Sequence, residues 1–81
     1  MPLVRLKGTV SDPMYIGAYK RHLKFRLCDE SGNINCIMWN TEKKVENGSI
    51  MNVIGYLKDN TYRGRNAVQL DVKNLFEEEE L

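Results

Sequence analysis

Histidine, cysteine and proline are scarce in this 81-residue chain, which holds one, two and two of them. A single histidine and seven acids outside the C-terminal end leave little from which to assemble paired general acids, bases or activated nucleophiles. A free-standing enzyme is therefore the least expected class, and no catalytic residue is assigned. Cys28 and Cys36 have no second pair and no histidine at metal-ligand spacing. They read as reduced thiols of a cytoplasmic protein, with neither metal nor other cofactor implied in this domain. The chain also lacks a run of roughly 18 apolar residues and a basic start followed by an apolar stretch, which excludes a membrane helix and a secretory leader. What remains is 42% apolar and 28% charged, enough for one compact core and suited to a binding module.

The net charge of +1 conceals an asymmetry. Glu77, Glu78, Glu79 and Glu80 form an acidic end, and with those four set aside the rest of the chain carries +5. Residues 1–76 read as one domain and 77–81 as a solvated acidic tail. The first 28 residues hold Arg5, Lys7, Lys20, Arg21, Lys24 and Arg26 against Asp12 alone. Such a basic region attracts phosphate, although basic residues also simply maintain solubility.

Apolar residues recur mostly with period two, the signature of strands with one buried face. In Leu3–Ser11, Val4, Leu6 and Val10 share a face opposite Arg5, Lys7 and Thr9, and Gly8 marks a bend. Asp12–Ala18, with Pro13 and Gly17, reads as a loop. Over Tyr19–Asp29, Leu23, Phe25 and Leu27 point inward while Lys20, His22, Lys24, Arg26 and Cys28 point outward. Glu30-Ser31-Gly32-Asn33 signals a tight turn into a strand over Ile34–Asn40. A Ser31-Gly32 loop would set Phe25 against Met38 and Leu27 against Cys36 inside, with Lys24 against Trp39 and Arg26 against Ile37 outside. That register buries Cys36, exposes Cys28 and disfavours a disulfide between them.

Thr41–Asn47 offers an N-cap at Thr41 and a stop at Gly48, which predicts one short helical turn. Ser49–Asp59 is a strand bent at Gly55, Asn60–Asn66 a hairpin loop, and Ala67–Lys73 a last strand with Val68, Leu70 and Val72 inward and Gln69 and Asp71 outward. The expected class is thus all-β: a five-stranded Greek-key barrel of the OB-fold, with a short helix between strands 3 and 4. An SH3-like barrel and an open five-stranded meander are the alternatives.

Gly8-Thr9-Val10, the His22–Leu27 run, Gly32, Gly48 and Val53-Ile54-Gly55 resemble the scaffold of nucleic-acid-binding OB domains. The stretch from Gly55 to Val72, with Asn60, Tyr62, Gly64 and Gln69-Leu70, resembles the OB domain of RecJ-type single-stranded-DNA-specific exonucleases, as does His22-Leu23-Lys24. The resemblance covers most of the chain. It implies a non-catalytic fragment of an exonuclease of DNA repair and recombination, with single-stranded DNA and the parent chain's catalytic domains as partners. The phosphoesterase domains of that family are absent from this sequence.

A single-strand binder needs cations along the backbone path and aromatic faces for bases. Lys20, Lys24, Arg26 and His22 on the second strand, with Trp39 beside Lys24, meet both needs, and Arg5 and Lys7 extend the basic surface along the first. Trp39 reads equally as a core residue if the register slips by one, and His22 reads equally as an exposed side chain. In the last hairpin, Tyr62, Arg63 and Arg65 flank Gly64 and point to a groove-edge loop. Two further readings use the same surface: a protein-interaction barrel presenting Ile37, Trp39 and Tyr62, and an anticodon-type RNA-binding domain.

Overall fold

A computed structural model describes residues 2–62 and 65–77, through the backbone alone at 60–62 and 65–67. Five strands follow in order: β1 (Leu3–Ile16), β2 (His22–Asp29), β3 (Gly32–Met38), β4 (Ile50–Tyr62) and β5 (Arg65–Glu77). They form a closed barrel in the order β1-β2-β3-β5-β4, every neighbouring pair antiparallel except β3 with β5. This is the expected OB barrel. Inward residues of all five strands fill it, with Val10, Leu23, Phe25, Cys36, Val53 and Leu70 at its centre. Among the described residues no helix is long and apolar enough to cross a membrane.

β1 serves two partners. Its first half, Leu3–Thr9, pairs with β4, and from Thr9 onward it pairs with β2. Gly8 sits at the changeover, where a Cβ would lie 2.6 Å from the Cys28 carbonyl oxygen. The expected loop at Asp12–Ala18 is instead mostly strand: β1 runs on to Ile16 through a bulge between Ser11 and Met14. Pro13 is tolerated because a bulged residue donates no ladder hydrogen bond. Asp12 takes a left-handed φ of 54°, a conformation open to aspartate.

The expected strand at Tyr19–Asp29 begins later, at His22, and Lys20 falls in the β1–β2 turn. Lys20 has a φ of 53°, and its N–H bonds the Gly17 carbonyl at 3.1 Å. The β2–β3 turn also differs from the expectation. Asp29 pairs with Gly32, so Glu30-Ser31 is the loop, and Asp29 Oδ1 accepts from the Ser31 N–H (2.8 Å) and hydroxyl (2.6 Å). Phe25 consequently faces Cys36, and Lys24 faces Ile37. The register moves by two residues, so every side chain keeps its expected face. Cys36 is buried, Cys28 is half-buried, and both are free thiols.

No helix forms at Thr41–Asn47. Seven residues are too few for a helix to stand on propensity, and tertiary hydrogen bonds take the backbone instead. The Tyr15 hydroxyl donates to the Lys43 carbonyl (2.9 Å) and accepts from the Val45 N–H (3.2 Å). The Thr41 N–H bonds the Arg21 carbonyl at 2.8 Å, and Lys43 Nζ reaches the Leu75 carbonyl at 2.9 Å. The connector is thereby tied to β1, to the start of β2 and to β5, and Val45 packs on the core.

Gly55 marks a second close approach. The β4–β5 register shifts between Ile54 and Gly55, and a Cβ on Gly55 would lie 2.1 Å from the Asp71 carbonyl oxygen. Because that obstacle is backbone, Gly55→Ala should lose stability at the upper end of overpacking costs, about 3 kcal/mol, measured by denaturant unfolding. Burial pushes the Cys36 thiol up to about 12. A thiol reagent should therefore label Cys28 in the native protein and reach Cys36 only on unfolding.

Candidate nucleic-acid interface

Strand pairing lays two rows of outward side chains across the barrel. One runs Met14, Lys24, Ile37, Asp71 and Tyr56; the other runs Ser11, Arg26, Asn35, Gln69 and Lys58. The antiparallel ladders align β1, β2 and β3, and the parallel β3–β5 pairing adds the last two strands to the same surface. Trp39, just past the end of β3, is 52% exposed and presents its ring edge-on to His22, with centroids 5.0 Å apart. It lies outside the core, which sets aside the reading of Trp39 as a core residue.

Each cation on this face has its own surroundings. Lys24 is exposed and has no hydrogen-bond or ion-pair partner among the described residues. Arg26 forms an ion pair with Asp12. Hydrogen bonds from Arg26 and Ser11, and then the Arg26 charge, hold the Asp12 carboxyl below its ordinary value. Lys58 Nζ lies 2.6 Å from Asp71 Oδ2, and Gln69 Nε2 donates to Asp71 Oδ1 at 3.3 Å. Lys73 Nζ stands 6.0 Å from the Tyr56 ring centroid. Parity alone could have singled out Tyr56 and Lys58, because they alternate with inward residues. Their link to Lys24 could not be read that way, since it depends on the β3–β5 pairing.

His22 has a positioning contact. Its Nδ1 accepts from the Asn40 N–H at 3.0 Å, which leaves Nε2 to carry the proton of the neutral ring. Asn40 is held at a φ of 52° directly after Trp39, so His22 fixes the end of the β3 excursion as well as flanking the indole.

Arg5 and Lys7 lie on another part of the barrel wall. Arg5 pairs with Ile54 and Lys7 with Asn52 of β4. Arg5 Nη2 donates to Asn52 Oδ1 at 3.2 Å, and its guanidinium sits 5.3 Å from the Phe76 centroid. The pairing separates these two residues from the Lys24–Trp39 region. Lys20, in the β1–β2 turn, lies near one end of that region. Ile37, expected on an exposed patch, is only 7% exposed. It is packed between Lys24 and Asp71, because the outer face of a central strand is covered by long neighbours. Arg63 and the side chains of Tyr62 and Arg65 lie outside the described residues, as does the tail from 78 to 81. Among the described residues, no group of three or more His, Cys, Asp or Glu could hold a metal ion.

The family model described as the RecJ OB domain matches residues 1–74, and the chain belongs to that family. RecJ from Thermus thermophilus, solved with Mn2+, superposes with a TM-score of 0.70 at 25% identity, covering 94% of this chain and 11% of that one. Asparaginyl-tRNA synthetase from Pyrococcus horikoshii, solved with asparaginyl-adenylate, gives a TM-score of 0.76 at 22% identity over 94% of this chain and 19% of the synthetase chain. A replication protein A heterotrimer bound to ssDNA gives 0.64 at 17% identity, over 88% of this chain and 54% of that one. The synthetase and replication-protein likenesses are of fold alone. The chain thus spans a small part of the RecJ and synthetase chains it matches. Comparison with curated proteins finds no match.

Asp71 makes the face sensitive to acid. Burial alone would raise its carboxyl, but hydrogen bonds from Lys58 and Gln69 and the charges of Lys58 and Lys73 outweigh that and lower it below the ordinary 3.8. The native state therefore holds this proton less readily than the unfolded chain does. The resulting stability is full above 3.8 and is lost as pH falls through the lowered native value. Asp71→Asn should flatten this part of the acid limb in a pH series of thermal melts. At neutral pH it should cost about 1.5–3 kcal/mol, on the scale of a hydrogen bond to a charged group.

Proposed function

We propose that this chain holds single-stranded DNA, as the OB module of a RecJ-type exonuclease whose chemistry is carried out by other domains. The observation that carries the reading is the Lys24–Trp39 surface. An ammonium on β2 without a partner among the described residues and a half-exposed indole just past the end of β3 stand on a barrel that belongs to the RecJ OB family. A strand crossing β2 and β3 would set a phosphate on Lys24 and stack a base on Trp39. Lys20 would edge that path and Arg26, Tyr56 and Lys58 would extend it, while Tyr62, Arg63 and Arg65, whose side chains lie outside the described residues, remain candidates on the sequence alone. Arg5 and Lys7, on the β1–β4 part of the wall, would contact only a strand that wraps further round the barrel. On this reading the domain itself is non-catalytic, and it delivers a cytoplasmic repair or recombination substrate to the parent chain's active site.

The experiment is a titration of Trp39 fluorescence and of labelled-oligonucleotide anisotropy at low and physiological salt, with duplex DNA and single-stranded RNA as controls. Single-stranded DNA should quench the indole, and the affinity should fall steeply with salt as phosphate contacts release counterions. Lys24→Ala should reduce the salt slope by about one. Trp39→Ala should cost about 1–3 kcal/mol for the stacked base. Absence of both quenching and anisotropy change would overturn the reading in favour of a protein-interaction barrel. Tighter binding of RNA would move it to an RNA module.

A further inference from the structure

A depression of about 220 Å³ opens on the outer face between β1, β2 and β3, lined by Asp12, Met14, Lys24, Phe25, Arg26 and Asn35. Its walls differ in chemistry. Met14 is 57% exposed and offers a polarizable apolar surface suited to the face of a planar ring. Asn35 is exposed, and its side-chain amide makes no hydrogen bond among the described residues. Among the described residues Asp12 commits one oxygen: Oδ2 accepts from Arg26 and from Ser11 Oγ (3.2 Å), and Oδ1 has no partner there. The bulge fixes where that oxygen stands, because the Asp12 N–H is itself bound to Asn47 Oδ1 at 3.1 Å.

A carboxylate is the wrong group to meet a phosphate and the right one to meet an amino group. The geometry points to a nucleobase subsite that prefers cytosine to thymine. The ring lies on Met14, its N4 amino group donates to Asp12 Oδ1, the Asn35 amide meets the rest of its hydrogen-bonding edge, and Lys24 takes the adjoining phosphate. Aspartate accepts from cytosine N4, whereas thymine would set its O4 carbonyl against the carboxylate. Asp12 acts a second time by occupying Arg26, which subtracts one cation from the non-specific phosphate attraction. This inference rests on the single-strand reading and adds a base preference to it.

The test compares the binding of labelled oligothymidine with that of the same oligomer carrying interspersed cytidines, read by anisotropy across a salt series. The unaltered protein should bind the cytidine oligomer about fivefold more tightly, the low end of discrimination by one side-chain–base pair. Asp12→Gly suits the left-handed backbone at this position. It should erase the preference, tighten binding of oligothymidine and steepen the salt dependence as Arg26 is released to phosphate. Asn35→Ala, on a regular strand away from the bulge, should weaken the preference and leave the salt dependence unchanged. Equal affinity of the unaltered protein for the two oligomers, or a preference that survives Asp12→Gly, overturns the subsite while leaving the single-strand reading intact. A protein that binds neither oligomer overturns both.

Discussion

Asn35 with Gln69, Cys36 with Leu70 and Ile37 with Asp71 are the pairs through which β3 meets β5 and the barrel closes. They are parallel in a sheet that is otherwise antiparallel, and they join segments more than thirty residues apart in sequence. The closure has consequences on both faces. Inside, Cys36 and Leu70 meet in the centre of the core with no exposed surface. Outside, the carboxylate of Asp71 is brought beside Ile37 and one further strand from Lys24, which turns two separate hairpins into one continuous surface. Loop-closure entropy opposes so non-local a contact, and the apolar burial on the inner side is what offsets it.

The outer surface is less basic than its lysines and arginines suggest. Arg26 faces Asp12, Lys58 faces Asp71, and Arg5 is bound to Asn52 over Phe76. The exposed Arg26–Asp12 pair contributes little to stability, so its effect lies in orientation and in the field seen by a ligand, whereas the carboxylate of the Lys58–Asp71 pair is buried. Lys24, on β2, has no hydrogen-bond or ion-pair partner among the described residues. A polyanion arriving at this face meets the Lys24 ammonium on β2 and, past the end of β3, the indole beside His22, whereas Arg26 and Lys58 are engaged by carboxylates.

Much of this fold is legible in the sequence because alternation is a local property. Leu23, Phe25 and Leu27 alternate with charged neighbours, which fixes the face of β2 whatever its partner. The two-residue error in the β2–β3 register left those faces unchanged, since any even shift preserves parity. Gly8 and Gly55 read correctly as special positions, and the carbonyls of Cys28 and Asp71 are the reason. What failed depended on distant residues. Pro13 and Asp12 looked like a loop because a bulge is defined only by the strand opposite. Thr41–Asn47 looked helical because nothing local announces that a tyrosine hydroxyl far up the chain will take its backbone groups. Of the candidate surface, Lys24, Arg26 and Trp39 were visible by alternation. That Arg5 and Lys7 sit beside β4, and that Lys58 and Asp71 join the central rows, follows only from barrel closure.

The double pairing of β1 bears on how the chain can vary in length. Residues 3–9 are in register with β4, and residues 9–16 with β2, with the bulge at Asp12-Pro13 already absorbing one residue of phase. An insertion or deletion inside β1 would reverse the inward and outward faces for one of its two partners, and no neighbouring segment is free to compensate. The connector from Trp39 to Ser49 is bound at discrete points instead of along a ladder, so added residues there could bow outward between its anchors at small entropic cost. Tolerance of length change is therefore concentrated in the connector, and β1 is the segment least able to gain or lose a residue.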